Sequence, residues 1–246
     1  MTRTTLSRTP QLDGLKGWQS PPEETYRLAP GADIFGDEAI EFLNGLGMSM
    51  FPWQDLCIRN SLLINDGVWA ARTFGLVIAR QNGKSEFAVA RILIGLFLIG
   101  EPLIIYCAHE AATAKEIFLR IKGILEDDSN AAYGKYIKHI WQGNGNFGIE
   151  MESGSRVLFK TRTKGTARGF SCDCLILDEG MFLSHTFAQS VLPSQMAREN
   201  PQTFIMGSAA VGSESEYFGL VRRNALSDNE EDYEALTWME WSADVC

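Results

Sequence analysis

Short apolar runs alternate along the middle of the chain with stretches in which apolar residues recur every three or four positions. The runs read as buried strands and the periodic stretches as helices with one apolar face. Strands are expected at Thr73–Ala79, Leu103–Ala108, Cys174–Leu177 and Thr203–Met206. Helices are expected over Glu86–Ile99, over Ala111–Leu125 and over Thr186–Met196. In the second of these, Ala114, Ile117, Phe118, Ile121 and Leu125 form one stripe. Upstream, a short helix is expected at Asp37–Leu46 and another from Pro52 to Ile64, since proline suits a first helical turn. Gly148–Met151 and Arg156–Lys160 flank a Ser153-Gly154 turn and read as an antiparallel pair.

Strand and helix in alternation predict an α/β fold, with a mainly parallel central sheet and helices on both faces. Residues 1–35 carry Pro10, Pro21, Pro22 and Pro30 and read as an irregular surface arm. The expected organisation is an N-terminal arm with a short helix over 1–47, then one α/β domain over 48–246.

With 45% hydrophobic and 22% charged residues, the chain has the composition of an ordinary globular domain. Its net charge of −9 and pI near 4.9 oppose binding of nucleic acid over the whole surface, so any such contact is local. Lys160, Arg162, Lys164 and Arg168 place four positive charges within nine residues, the first three alternating as on one strand face. They are the candidates for touching DNA phosphate, or else form a solvated basic strand. The apolar run Ile92–Gly100 is short of the roughly 20 residues that span a bilayer. Nor does the N-terminus have the apolar segment of a secretory signal. A protein of the cytoplasm, with no membrane partner, is expected. Cys57, Cys107, Cys172, Cys174 and Cys246 form an odd set with one C-x-C pair, which reads as reduced thiols.

Chemistry concentrates where strands end. Ala79-Arg80-Gln81-Asn82-Gly83-Lys84-Ser85 joins an apolar strand to an apolar helix, whose N-terminus favours anions. Polyphosphate binding needs inward backbone N–H groups, a lysine across the β and γ phosphates, and a hydroxyl on Mg²⁺. Gly83, Lys84 and Ser85 supply these in order, although Ile78 stands where the general pattern has its first glycine. Within the loop, Arg80 is placed to reach a γ-phosphate or to shape the loop by a salt bridge. Asp178 and Glu179 follow Leu175-Ile176-Leu177, at the strand edge where open α/β sheets bind ligands. Asp178 suits Mg²⁺, and Glu179 suits activation of a water; alternatively, the pair caps the following helix. Gly207-Ser208-Ala209 marks a third strand edge, with a hydroxyl able to sense the γ-phosphate. Gln54, after Pro52-Trp53, could read an adenine edge.

Taken with Thr166-Ala167-Arg168-Gly169 and Met206-Gly207-Ser208-Ala209, these motifs resemble the large terminase subunits of tailed bacteriophages, in order and spacing over residues 50–210. In that family too the phosphate loop lacks the first glycine and carries an arginine at the position of Arg80. The resemblance implies a three-layer, additional-strand, RecA-like P-loop fold. It also implies a motor that hydrolyses ATP with Mg²⁺ to drive double-stranded DNA into a procapsid, in the cytoplasm of an infected bacterium. The partners would be DNA, a portal protein and a small terminase subunit, with the chain in a homo-oligomeric ring when assembled. Lys84 and Ser85 carry over as phosphate and magnesium ligands, with Arg80, Gln81, Asn82 and Gly83 completing the nucleotide loop. Asp178 carries over as the metal-binding acid, Glu179 as the catalytic base, Ser208 as the coupling residue and Gln54 as the adenine reader. Arg80 and Arg168 match arginines that act as fingers within or between subunits. The family's RNase H-like nuclease has no counterpart up to Cys246, so no nuclease activity is expected from this polypeptide. Two other readings stand beside the packaging motor. One is a helicase-type ATPase acting on nucleic acid, which would need a second RecA-like domain. The other is a non-catalytic module that keeps nucleotide for assembly.

Overall fold

Residues 19–143, 146–162, 171–209, 216–229, 231 and 233–241 are described by a computed structural model. The strands are β1 (Tyr26–Arg27), β2 (Ile64–Asn65), β3 (Val68–Trp69), β4 (Thr73–Val77), β5 (Leu103–Ala108), β6 (Ile137–Gly143), β7 (Asn146–Met151), β8 (Arg156–Thr161), β9 (Cys174–Leu177), β10 (Gln202–Gly207) and β11 (Leu236–Glu240). The helices are α1 (Gly36–Gly45), α2 (Pro52–Ser61), α3 (Lys84–Ile94), α4 (Ala111–Glu126), α5 (Ala131–Gly134), α6 (His185–Val191) and α7 (Glu216–Ala225). One sheet runs in the order β1-β11-β4-β10-β9-β5-β8-β7-β6, and β2 pairs with β3 in a separate hairpin. From β11 to β8 every pairing is parallel. β7 and β6 extend one edge antiparallel, and β1 closes the other.

The apolar runs become strands because both sheet faces are covered. Along β5 and β9, successive side chains enter opposite cores. Ile104, Tyr106 and Ile176 pack with Phe87, Ile58 and Phe118 from the α2–α4 layer, while Ile105, Cys107, Leu175 and Leu177 pack with Val191, Phe218 and Val221 from α6 and α7. This is the expected three-layer arrangement. β10 lies between β4, which leads into the Gly83-Lys84-Ser85 turn, and β9, which leads into Asp178-Glu179, so the additional strand implied by the resemblance is present. Gly75 sits opposite Trp238 of β11, where a Cβ would lie 2.0 Å from the indole, so only glycine leaves room for that side chain.

Several expectations are corrected. The helix from Pro52 ends at Ser61 because the chain turns into the β2–β3 hairpin through Asp66 and Gly67, both at positive φ, an Asp-Gly hairpin signal. The helix expected to Ile99 is α-helical to Ile94 and π-helical over Gly95–Ile99. There Gly95 leaves the space into which Glu101 folds back, since a Cβ would meet Glu101 Oε2 at 2.3 Å. The Thr186–Met196 helix is α-helical only over α6 and continues as a 3-10 helix over Leu192–Ala197, where Pro193 has no N–H to donate. The arm does not lie wholly on the surface. Tyr26 and Arg27 pair with Met239 and Trp238, and the Thr25 hydroxyl donates to Glu240 O at 2.9 Å. β6, α7 and β11 are further elements that the apolar pattern did not single out.

At the N-terminal edge of the sheet, Arg91 is fully buried against Glu101. Its Nη1 and Nη2 donate to Glu101 Oε2 and Oε1 at 2.9 and 2.6 Å, and Nη2 also to Gln202 Oε1 at 3.1 Å. Its guanidinium carbon stands 5.0 Å from the Phe204 ring centroid. Gln202 donates onward to Ser61 O and Ala71 O, tying α2 and the start of β4 to the same point. Removing one partner of a buried pair leaves an uncompensated charge, which costs far more than replacing both. Glu101→Ala is therefore expected to lower the unfolding free energy by about 3–5 kcal/mol. The double variant Arg91→Met/Glu101→Leu is expected close to wild type, both measured by urea denaturation.

Burial also pushes the thiols of Cys107 and Cys172 up to about 12, from an ordinary 9.0. Between those values the unfolded thiols ionise and the folded ones do not, so unfolding is favoured as pH rises. Stability is expected to fall above pH 9 by up to about 1.4 kcal/mol per pH unit for each thiol. Cys107→Ala and Cys172→Ala should flatten that decline in urea midpoints taken between about pH 8 and about pH 10.5.

Candidate functional site

The loop after β4 leaves the sheet at Ile78, whose N–H donates to Gly207 O at 3.1 Å. Gln81 at φ 63° and Gly83 at φ 85° turn it back into α3, which starts at Lys84. Left-handed residues in such a loop make successive N–H groups converge on an anion. The Asn82 side-chain amide donates to Ala79 O and Arg80 O at 3.2 and 3.3 Å and holds the turn closed. Gly83 is required twice, by its positive φ and by Gln54, because a Cβ would come within 2.8 Å of Gln54 Nε2. Arg80, Gln81 and Asn82 are exposed, and Ser85 is half-buried in the first turn of α3.

Gln54 is almost fully buried beneath this loop. Its Oε1 accepts from Phe51 N at 2.8 Å, closing the start of α2, and its Nε2 donates to Gly83 O at 3.0 Å. Both ends of the amide expected to read adenine thus already hold protein partners. Trp53 packs edge-on to Trp241, with ring centroids 5.6 Å apart, and Trp241 N donates to Val77 O at 2.8 Å. The end of β11 therefore borders the same loop.

Across the sheet edge, the Asp178 carboxylate is buried in contact with Lys84 Nζ. Oδ1 also accepts from Glu179 N at 2.7 Å, and Oδ2 accepts from the Tyr106 hydroxyl at 2.6 Å. Burial first, then the adjacent Asp178, pushes the Tyr106 phenol well above its ordinary value, so it remains a donor. Glu179 occupies the left-handed region at φ 56°, ψ 46°, a costly conformation for a residue with a side chain. Its carboxylate turns towards the N-terminus of α4. There Oε2 accepts from His109 N and Glu110 N at 2.7 and 3.3 Å, and Oε1 from Thr113 Oγ1 at 3.5 Å. The capping alternative thus has a real counterpart, though at α4 rather than at the helix following Glu179 in sequence. Gly180 lets the next turn press against Met206 O and Phe218, so the ends of β9 and β10 are close-packed. Ser208 is buried just beyond β10.

The structure therefore brings Gly83, Lys84, Ser85, Asp178, Glu179 and Ser208 to one sheet edge. It separates the basic cluster. Lys160 lies on β8, its Nζ 3.5 Å from Asn146 Oδ1. Arg162, expected beside it on a phosphate-facing surface, instead turns inward, and its Nη2 donates to Asp178 O and Glu179 O at 2.7 and 2.9 Å. The carbonyls at a strand end lack ladder partners, and a nearby guanidinium satisfies two at once. Lys164 and Arg168 lie outside the described residues. Tyr106 and the His109 and Glu110 N–H groups were not singled out by sequence. The available signal was a tyrosine inside an otherwise apolar buried strand, whose hydroxyl needs a partner. Among the described residues no set of three His, Cys, Asp or Glu side chains forms a metal cluster. Cys57, Cys107, Cys172 and Cys174 are buried free thiols, and no described helix is long and apolar enough to cross a membrane.

No protein-family model and no curated protein matches this sequence. Solved structures do. The HK97 bacteriophage large terminase superposes on 85% of this chain with a TM-score of 0.68 at 18% sequence identity. The chain spans 44% of that protein, less than half its length. The large terminase ATPase domain of Thermus phage P74-26 superposes on 74% of this chain, covering 73% of its own, with a TM-score of 0.57 at 19% identity. At these identities the likeness is one of fold: this chain has the RecA-like P-loop fold of phage large-terminase ATPase domains.

Proposed function

We propose that the chain hydrolyses ATP at the edge formed by β4, β10 and β9, and that hydrolysis drives double-stranded DNA into a procapsid. One observation carries the ATPase reading. Lys84 and Asp178, 94 residues apart in sequence, meet at this edge beside Glu179. Lys84 neutralises Asp178, and its ammonium is placed to serve the β and γ phosphates of a bound nucleotide. Backbone N–H groups of Arg80 to Lys84 hold the phosphates, and Arg80 or Arg168 supplies positive charge as the γ-phosphoryl group leaves. Gln54 secures the loop at Gly83, and adenine would take over one of its amide bonds.

The oxygen donors present, the Ser85 hydroxyl and the Asp178 carboxylate, fit Mg²⁺. That ion takes its remaining ligands from water and substrate phosphate and needs no protein cage. Held by Ser85 and Asp178, Mg²⁺ would supply positive charge against the phosphates. Glu179 orients the attacking water and takes its proton, after its carboxylate leaves the N–H groups of His109 and Glu110. Ser208, at the end of the strand between the loop and the acids, is suited to pass the state of the γ-phosphate to the DNA-moving part. DNA, a portal protein, a small terminase subunit and a ring of further copies are the proposed partners, and the host cytoplasm is the proposed location. Support for this wider role comes from the terminase folds and from Lys160 and Lys164, the remaining basic candidates for DNA.

Glu179→Gln is expected to lower kcat for ATP about 10²- to 10⁴-fold with nucleotide affinity kept. Turnover by that variant at the wild-type rate, followed by phosphate release, would sink the catalytic assignment. Lys84→Ala is expected to weaken ATP binding and also to lower the melting temperature of the ligand-free protein, because it strips buried Asp178 of its cation. Chelation of Mg²⁺ should abolish turnover, with recovery when the ion is restored.

A further inference from the structure

Among the described residues, Arg162 is the one guanidinium at this sheet edge that the nucleotide chemistry leaves without a task. It follows β8, and its backbone N–H extends the ladder to Ala108 O at 2.9 Å. The side chain crosses the end of β5 to reach the end of β9, where Nη2 bonds both Asp178 O and Glu179 O. Nε and Nη1 are buried with no hydrogen-bond partner among the described residues. Burial, partly offset by Cys107 and the two carboxylates, lowers the pKa of the group. Among the described residues no carboxylate bonds this half-buried cation, and the desolvation of two unmet donors offsets what its two carbonyl bonds contribute to stability. Uncompensated polarity of this kind marks positions kept for function.

Its two acceptors are the carbonyls on either side of the Glu179 α-carbon, and Glu179 holds a strained left-handed conformation. The Glu179 carbonyl also accepts from Phe182 N at 2.9 Å, which starts the following 3-10 turn. Fixing both carbonyls fixes the peptide planes flanking Glu179, and so the direction in which its side chain leaves the backbone. We propose that Arg162 is a positioning residue. By clamping the Asp178 and Glu179 carbonyls, it holds Glu179 in the backbone conformation from which its carboxylate serves the attacking water. The inference rests on the ATPase reading above, with Glu179 as base.

Arg162→Met keeps the length of the side chain and removes the donors. It is expected to melt no lower than wild type and to bind ADP with Mg²⁺ within about twofold of wild type, while kcat for ATP falls at least about tenfold at unchanged KM. Because the clamp acts through Glu179, Arg162→Met added to Glu179→Gln should cost little beyond Glu179→Gln alone. Wild-type kcat in Arg162→Met, or losses that multiply in the double variant, would overturn the proposal. Should the methionine variant melt well below wild type, Arg162→Lys, with one donor atom in place of the fork, takes its place under the same criterion. Hydrogen exchange provides a readout independent of turnover. The Phe182 amide should exchange at least about tenfold faster in Arg162→Met, with β5 amides unchanged. If the wild-type protein hydrolyses no ATP, the ATPase reading fails, and the clamp is judged by exchange alone. An unchanged Phe182 amide would then overturn it.

Discussion

Parallel hydrogen bonding from β11 to β8 brings the ends of those six strands to the same edge. Val77 pairs with Gly207, Ile205 with Leu177 and Cys107 with Leu177 again, so the chain leaves β4, β10, β9 and β5 at nearly one level. The phosphate-loop residues, Ser208, Asp178 and His109 all follow from that register. Shifting one strand by a residue would turn its side chains into the wrong core, so the two apolar faces lock the register and the site together. The buried bulk of Phe74, Phe87 and Phe204 on one side and Trp238 and Phe218 on the other is thus also what holds Lys84 against Asp178.

The two sheet edges use buried charge differently. At the N-terminal edge Arg91 meets a carboxylate in a forked pair, and Gln202 spreads the connection to α2 and β4. That arrangement is local to the scaffold. At the C-terminal edge Lys84 and Asp178 hold each other beside the loop after β4, Glu179 is strained, and Arg162 bonds the carbonyls of Asp178 and Glu179. Charges there lie at the rim of the loop after β4, and the proposed nucleotide site draws on contacts that can be exchanged. The same physical rule, that a buried charge needs a partner, produces rigidity at one edge and readiness at the other.

The strands β4, β5, β9 and β10 were legible in the sequence because burial on both faces makes them continuous apolar runs, whatever they pair with. α4 was legible from its single stripe. The β2–β3 hairpin hid in a Pro-initiated helix because the apolar residues Leu62, Leu63 and Ile64 continue the helical pattern, and only Asp66-Gly67 mark the turn. β1 and β6 lie at sheet edges and bury one side or less, so their residues carry no continuous apolar run. The place of β1 depends on β11, more than two hundred residues away in the chain.

By itself the sequence determined the parts of the site that are short strings: Gly83-Lys84-Ser85 after a strand, Asp178-Glu179 after another, and the α/β alternation that makes them neighbours. These parts are local because a turn, a helix N-terminus or a strand end is built from adjacent residues. The tertiary structure alone decided that the Tyr106 hydroxyl completes Asp178. It likewise decided that α4 holds the Glu179 carboxylate and that Arg162 faces inward rather than outward beside Lys160. Each of these depends on which strands lie side by side. Strand neighbours are chosen by the packing of two whole faces, which no local run of residues encodes.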